Sequence, residues 1–451
     1  MRSADDMDNP STAPLKINFF SKRNLQRILP YIPLVVVAFL LVLNPYYLFP
    51  THGDLDFHLV RAREIIDDPI HGLLWDYMVY YPAGRPLWHQ PLIHILMASL
   101  WWIGGVRFMH SIMCILQILL TVLTASWVSS KFYGERAGFI AGMLVLAAPR
   151  PDTLSVVMPA TFVPIFTVLT IYSLSRSKLK LSFITSLMAI STHIMGLLVL
   201  PVILADGIKK NRNLIIAISP LIIFWIIYFA VYGPSSSGNL SSGFQGLELV
   251  NELSLIPIIS GAIGLWFIRK RKEFKPIVAY IAGILILQLY FDVSRALQYV
   301  VLPLAITGSY FFNQLINRSP ASFKIIILLL VILSSSAFLA PLSLIDTSWA
   351  DMSMPFENRY YPLKEYIDTH TSPDDVVWAS GSVADKVAWM TGRRVSNGRY
   401  GPPPGFQETF QDVNVYEENR RFAVRDLKNR TVDVIDPSDF MQKQKRTING
   451  V

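Results

Sequence analysis

The sequence predicts a polytopic all-α membrane protein with a small α/β-like extracytoplasmic domain at its C-terminal end. Three observations predict it. Of the 451 residues, 52% are hydrophobic and only 16% are charged, against about 25% charged in an average soluble domain. Apolar runs recur from Ile28 to Leu344, several approaching the roughly 20 residues that a membrane span needs. From Asp346 onward the runs stop, and charge, Pro and Gly rise. Charge this sparse cannot coat soluble domains, which excludes a soluble enzyme, a disordered chain and a nucleic-acid-binding module. The single Cys114 excludes a disulfide scaffold.

The first span runs from about Ile28 to Leu48, after Lys16, Lys22, Arg23 and Arg27. It is longer than the apolar core of a signal peptide, so it reads as a retained span with its N-terminus in the cytoplasm. Residues 1–27 then form a cytoplasmic segment, residues 28–345 the transmembrane module, and residues 50–108 a large first external loop. Within that loop the short apolar stretch Pro91–Gly105 reads as a helix dipping into the outer leaflet. Later spans fall near Met109–Ser130, Gly138–Pro149, Met158–Leu174, Leu214–Tyr232, Leu253–Ile268, Pro276–Tyr290, Ala296–Leu315 and Ile325–Leu344. Two short runs, Ser182–His193 and Ile194–Ala205, lie between them. The total is about eleven transmembrane helices.

Basic residues test this order. Lys131 and Arg136, then Arg176, Lys178 and Lys180, then Lys209, Lys210 and Arg212, then the Arg269–Lys275 cluster, then Arg318 and Lys324 all fall on cytoplasmic loops. The external loop Gly233–Glu252 has no basic residue. That asymmetry is the positive-inside pattern, and it leaves residues 346–451 outside. There the alternation Asp375-Val376-Val377-Trp378 predicts a strand, and the stretch from about Gly401, with Pro402-Pro403-Pro404, predicts a partly disordered tail.

The first external loop concentrates chemistry. It begins Gly53-Asp54-Leu55-Asp56-Phe57-His58-Leu59-Val60-Arg61-Ala62-Arg63, and continues through Tyr80-Tyr81-Pro82-Ala83-Gly84-Arg85-Pro86 to Trp88-His89-Gln90-Pro91. Two carboxylates two residues apart can share a divalent cation with a phosphate, through hard oxygen ligands. They can equally place a base against an acceptor hydroxyl. Arg61 and Arg63 can meet phosphate oxygens with forked N–H donors. A structural reading fits the same residues: Asp54 caps the helix that follows, the arginines face anionic headgroups, and the aromatics form an interfacial belt.

The order of these elements resembles the first external loop of the membrane glycosyltransferases of the GT-C fold. The pattern is Gly-Asp-x-x-aromatic-His after the first span, then aromatic-Tyr-Pro-x-Gly-x-Pro, then Trp before a Pro-Leu helix. It is most similar to the catalytic subunit of archaeal and bacterial oligosaccharyltransferases and to shorter archaeal relatives that use dolichyl-phosphate sugars. The resemblance implies a first-loop aspartate, Asp54, that binds Mg²⁺ or Mn²⁺ beside the lipid-linked phosphate, with Asp56 as an additional or alternative carboxylate. It implies a catalytic Glu on the Ser/Gly-rich external loop, which offers Glu248 and Glu252. It implies an Arg on the donor phosphate, matched by Arg295 in Phe291-Asp292-Val293-Ser294-Arg295, with Arg61 or His58 assisting. An Asp292–Arg295 ion pair is the structural alternative there.

Two departures narrow the expectation. Where the family carries Trp-Trp-Asp-Tyr-Gly to grip an acceptor peptide, this chain reads Trp378-Ala379-Ser380-Gly381-Ser382. Where the family places a second acidic pair, this chain has Arg150-Pro151-Asp152-Thr153, with Asp152 the one carboxylate able to substitute as a metal ligand. The donor side is retained and the peptide side altered. The expected activity is sugar transfer from a polyprenyl-phosphate donor to a glycan or protein acceptor on the outer face, with membrane lipids as surroundings and no nucleic acid as partner. The alternatives are a diverged oligosaccharyltransferase, which moves a whole glycan to Asn, and a non-catalytic scaffold or lipid-linked-sugar transporter.

Overall fold

The computed structural model describes residues 26–43, 55–81, 84–87, 89–147, 158–232, 255–291, 299–334, 361–378, 381–398, 422–426 and 431–435. A 3₁₀ turn leads into helix α1 (Ile32–Leu43); α2 (Leu55–Asp67) and the one-turn α3 (Pro69–Gly72) follow. Strands β1 (Trp75–Asp76) and β2 (Arg85–Pro86) pair antiparallel, with Asp76 opposite Arg85. Then come α4 (Leu92–Tyr133), α5 (Glu135–Val145), α6 (Pro159–Ser175), α7 (Leu179–Thr192), a 3₁₀ segment Ile194–Leu198 and α8 (Val199–Asp206). The series continues with α9 (Arg212–Tyr232), α10 (Leu255–Phe267), α11 (Phe274–Phe291), α12 (Val301–Arg318) and α13 (Ala321–Ser334).

The two apolar pieces expected before and after Gly105 are both helical and follow one another as α4, which is kinked between them. Its only interruption is Gly105, at φ 80° and ψ 173°, a backbone conformation that glycine alone adopts without strain. Among the described residues α4 is the helix long and apolar enough to cross a membrane, with a mean hydropathy of 2.0 over its best window. Shorter apolar helices accompany it at α1, α6 to α11 and α13. The expected break around His193 is present: α7 stops there, and His193 is extended, with its Nδ1 accepting the Met195 N–H at 3.2 Å.

The bundle is apolar on its outside. Val35, Phe39 and Val42 of α1, Ile223, Ile226 and Ile227 of α9, and Ile325, Ile326 and Leu329 of α13 are all exposed, Val42 by 80%. Such a surface suits hydrocarbon and would aggregate in water. Inside, small and hydroxyl side chains bring backbones together, as expected where lipid supplies no hydrophobic drive between helices. Thr307 Oγ1 donates to the Gly261 carbonyl at 3.1 Å, and Ser129 and Ser309 share a hydrogen bond at 2.5 Å. Any side chain at Gly264 would collide with the Thr307 carbonyl, so α10 and α12 touch main chain to main chain.

Beyond the bundle lie α14 (Tyr361–His370), β3 (Val376–Trp378), α15 (Gly381–Thr391), β4 (Arg394–Val395) and the strands β5 (Phe422–Asp426) and β6 (Thr431–Ile435). The strand expected from the Asp375–Trp378 alternation is β3. The sheet order is β4-β3-β5-β6. Strands β3 and β4 are parallel, with α15 as the crossover that parallel neighbours require, and the other pairs are antiparallel. The first loop adds itself to the free edge of β4: the Val395 N–H donates to Met78 O at 2.7 Å, and the Tyr81 N–H donates to Val395 O at 3.0 Å.

Candidate active site

Helix α2 stands between three neighbours, and its 3.6-residue period assigns a face to each. Phe57, Arg61 and Glu64 face the β1–β2 hairpin. Asp56 and Val60 lie on the side of α15. His58 and Ala62 lie on the side of α4. All seven are buried. A polar helix buried all round needs a partner for each charge, because an unpaired buried charge costs several kcal/mol.

The hairpin face solves this with two arginines and two carboxylates. The Arg61 guanidinium pairs with Glu64 and donates to the carbonyls of Gly72 and, at 3.1 Å, Trp75. Arg85 Nε donates to Asp76 Oδ2 at 2.8 Å, and its guanidinium lies over the rings of Phe57 and Tyr80 at 5.0 and 5.3 Å. Glu64 Oε1 accepts the Met78 N–H at 2.7 Å. Asp76 Oδ1 has Arg61 at 3.9 Å, beyond hydrogen-bond reach, and no other donor nearby among the described residues.

The two carboxyls, both between α1 and α4, are pushed in opposite directions. Burial raises Glu64 well above the usual carboxylate range; the Arg61 charge works against this, and the neighbouring Asp76 reinforces it. Burial would also raise Asp76, but the charges of Arg85 and Arg61 outweigh it and hold Asp76 low. Burial works to lower Arg85, and Asp76 more than offsets this, raising it. Two adjacent carboxyls sharing one proton is the consequence, and a proton on Glu64 supplies the donor that Asp76 Oδ1 otherwise lacks.

On the α15 side, both oxygens of Asp56 are occupied. Lys386 Nζ donates to Oδ2 at 2.5 Å, and Trp389 Nε1 donates to Oδ1 at 3.0 Å. On the bundle side, His58 Nδ1 meets His94 Nε2 at 3.0 Å. The His89 ring lies 5.4 Å from that of His58 and stacks on His193 at 5.0 Å. Four histidines from three separate stretches of chain thus meet beneath α2.

Of the residues singled out in the sequence, Asp56, His58 and Arg61 stand on one helix but point to three different neighbours. Arg61 is engaged by Glu64 and two carbonyls of its own loop, so it holds that loop in place. Arg63 bonds Asp67 at 2.7 Å at the surface. Asp54, Asp152, Glu248, Glu252 and Arg295 lie outside the described residues. Among the described residues, no group of three or more His, Cys, Asp or Glu is placed to hold a metal ion. Asp56, the described half of the expected Mg²⁺ or Mn²⁺ pair, is instead bound by Lys386 and Trp389. The described donor set does not fit that ion.

Sequence reasoning passed over Glu64, Asp76, Arg85, His94, Lys386 and Trp389. Arg85 offered a signal, since an arginine in an aromatic-rich stretch, Tyr80 to Trp88, needs a buried carboxylate and Asp76 is the nearest one upstream outside α2. Lys386 and Trp389 gave none, because their partner lies 330 and 333 residues away.

No protein-family model matches the sequence, and no curated protein matches it. Solved structures do. An archaeal oligosaccharyltransferase from Archaeoglobus fulgidus in the apo form superposes with a TM-score of 0.62 at 11% identity, over 84% of this chain and 65% of that one. The same kind of enzyme, AglB from Archaeoglobus fulgidus with an inhibitory peptide and a dolichol-phosphate, gives 0.59 at 10% identity, over 84% and 65%. ArnT from Cupriavidus metallidurans bound to undecaprenyl phosphate gives 0.55 at 11% identity, over 83% and 86%. This chain thus spans about two thirds of the archaeal enzyme's length. The resemblance read from the first loop holds at the level of the whole backbone: the chain has the GT-C fold shared by archaeal oligosaccharyltransferase and bacterial ArnT.

Proposed function

We propose that this chain is a membrane glycosyltransferase that takes a sugar from a polyprenyl-phosphate carrier on the outer face and passes it to a glycan or protein acceptor. The observation that carries the reading is the superposition of more than four fifths of the chain on ArnT bound to undecaprenyl phosphate and on AglB with a dolichol-phosphate. The apolar exterior and the basic-residue asymmetry support about eleven spans, with the N-terminus cytoplasmic and residues 346–451 outside. This architecture suits the substrate, because the donor's tail must stay in lipid while its phosphate meets polar chemistry at the interface.

In this reading the acceptor oxygen attacks the anomeric carbon opposite the phosphate, and its proton passes to a carboxylate base, Asp54 or one of Glu248 and Glu252. The carbon–oxygen bond to the phosphate breaks with its electron pair on the phosphate, and configuration inverts. Arg295 stabilises the leaving phosphate electrostatically. Arg61, Glu64, Asp76 and Arg85 hold the first loop rigid, and Asp56 ties α2 to α15. A whole-glycan transfer to Asn is less well supported, since Trp378-Ala379-Ser380-Gly381-Ser382 lacks the peptide-gripping Asp.

The test is sugar transfer by the purified chain in liposomes, from polyprenyl-phosphate donors to lipid-linked glycan and to a sequon peptide. Asp54→Ala and Arg295→Ala should each reduce transfer by about 10²-fold or more. Equal transfer by both variants and the parent would reject these residue roles, and no transfer by the parent would reject the reading in favour of a scaffold.

A further inference from the structure

Helix α10 has two unlike faces. Gly261 and Gly264 lie against α12, so close that a side chain at either would collide with Leu304 or with the Thr307 carbonyl. On the other face Leu255, Ile259, Ile263 and Trp266 are exposed, Trp266 by 65%. Steps of three and four residues make them one apolar stripe along the helix. The stripe ends at a turn of opposite character, Arg269-Lys270-Arg271-Lys272-Glu273-Phe274-Lys275, with five basic residues and one acid. The bundle holds this turn in place. Arg271 Nε donates to Glu273 Oε1 at 2.7 Å and Nη2 donates to the Phe132 carbonyl, near the end of α4, at 3.0 Å. The same guanidinium lies over the rings of Tyr133 and Tyr310 at 5.1 and 5.4 Å. Arg269 folds back over the Trp266 ring at 4.3 Å and donates to the Trp266 carbonyl at 3.0 Å. Lys270, Lys272 and Lys275 are exposed and make no side-chain hydrogen bond or ion pair among the described residues. Three uncompensated cations are thus held within six residues, where they repel one another.

We infer that this surface binds an anionic phospholipid, with an acyl chain along Leu255, Ile259, Ile263 and Trp266 and the phosphate at Lys270, Lys272 and Lys275. The inference rests on the bundle spanning a bilayer and is independent of sugar transfer. Only an occupant with both an anionic head and a hydrocarbon tail complements both halves of the surface. A soluble phosphate or an acidic peptide leaves the stripe unused, and a zwitterionic lipid brings no net charge to the lysines. Trp266 sits at the junction, where an amphipathic ring favours the headgroup level, and each lysine can lay its stem on the apolar side while its ammonium meets the phosphate. A polyprenyl phosphate has the same chemistry. The phospholipid is the source assigned here because it surrounds the exposed stripe as solvent.

The experiment places the full-length protein in phosphatidylcholine nanodiscs that carry a minor fraction of either phosphatidylglycerol or phosphatidylcholine brominated near the top of its chains. Bromine quenches adjacent tryptophan fluorescence. The chain has ten tryptophans, and subtracting the signal of Trp266→Phe isolates Trp266. Each lysine near a phosphate favours the anionic lipid by about fivefold, so the preference for brominated phosphatidylglycerol at Trp266 should be about tenfold or more. Lys270→Gln, Lys272→Gln and Lys275→Gln together should reduce it to within about twofold of parity. Salt at about 1 M, where the screening length is about 3 Å, should weaken it in the parent with no substitution at all. Equal quenching by the two lipids in the parent overturns the inference, as does a preference that survives the triple substitution. Unlabelled undecaprenyl phosphate competing better than unlabelled phosphatidylglycerol assigns the surface to the carrier and overturns the phospholipid. No arm measures sugar transfer, so this inference and the function proposal fail separately.

Discussion

The opposed carboxyls of the first loop predict that two chemically similar substitutions differ sharply in cost. Asp76 is the ionised member, with Arg85 Nε at 2.8 Å and Arg61 at 3.9 Å. Asp76→Asn keeps the shape and removes the carboxylate charge that faces Arg85, which is wholly buried. Unit charges 4 Å apart attract by about 4 kcal/mol at an effective dielectric of 20, and breaking a buried pair from one side costs about 3–5 kcal/mol. Glu64 holds the shared proton, so Glu64→Gln substitutes one neutral group for another. Its amide oxygen keeps the Met78 N–H and its NH2 donates to Asp76, while Arg61 loses one acceptor and keeps the Gly72 and Trp75 carbonyls, at a cost of about 0.5–1.5 kcal/mol. Thermal unfolding in micelles at pH 7 should therefore place Glu64→Gln near the parent and Asp76→Asn well below both. The pH dependence follows the same signs. The Glu64 contribution is complete below its unfolded value, about 4.3, and is lost as pH rises through the raised folded value. Glu64→Gln should remove that alkaline loss. The Asp76 contribution is present above about 3.9 and is lost as pH falls through its lowered folded value. Equal damage from Glu64→Gln and Asp76→Asn would show that both carboxyls are ionised and would refute the shared proton.

Other outcomes follow from single contacts. Trp389→Phe deletes one hydrogen bond to Asp56 and should cost about 0.5–1.5 kcal/mol; Lys386→Ala should cost more, and both should quicken protease cleavage between residues 361 and 398. Gly264→Leu should lower the melting temperature by forcing α10 from α12, an overpacking cost of about 1–3 kcal/mol. Gly105→Ala meets no neighbouring atom, so its cost, about 1–3 kcal/mol, comes from backbone strain alone; the check is a melt beside Gly105→Asn, which should be destabilised to a similar extent because φ 80° with ψ 173° lies outside the left-handed helical region that Asn tolerates.

The apolar helices were legible because long apolar runs register directly in the sequence. The break at His193 was legible too, since the apolar run there is divided into two short halves. So was the kink at Gly105, where the sequence divides Pro91–Gly105 from the span that begins at Met109. At the site, the first loop was found by its density of charge, but the charge did not reveal its own use. Arg61 matched a phosphate ligand by type and place; what decides its partner is Glu64, one helical turn on, and a hairpin that folds back over both. Asp56 faces α15, brought there by tertiary folding and invisible to any local pattern. His94 was hidden in a run that otherwise reads as ordinary apolar helix.

The seating of Val395 between β3 and the first loop has a bearing on how the molecule is assembled. The Tyr80 hydroxyl donates to the Gly398 carbonyl across 318 positions of sequence, so a segment made early is completed by one made much later. Until then Met78 and Tyr81 hold an open strand edge, and pairing of such remote segments is slow and prone to error. A chain cut short before Val395 would leave that edge bare to its neighbours.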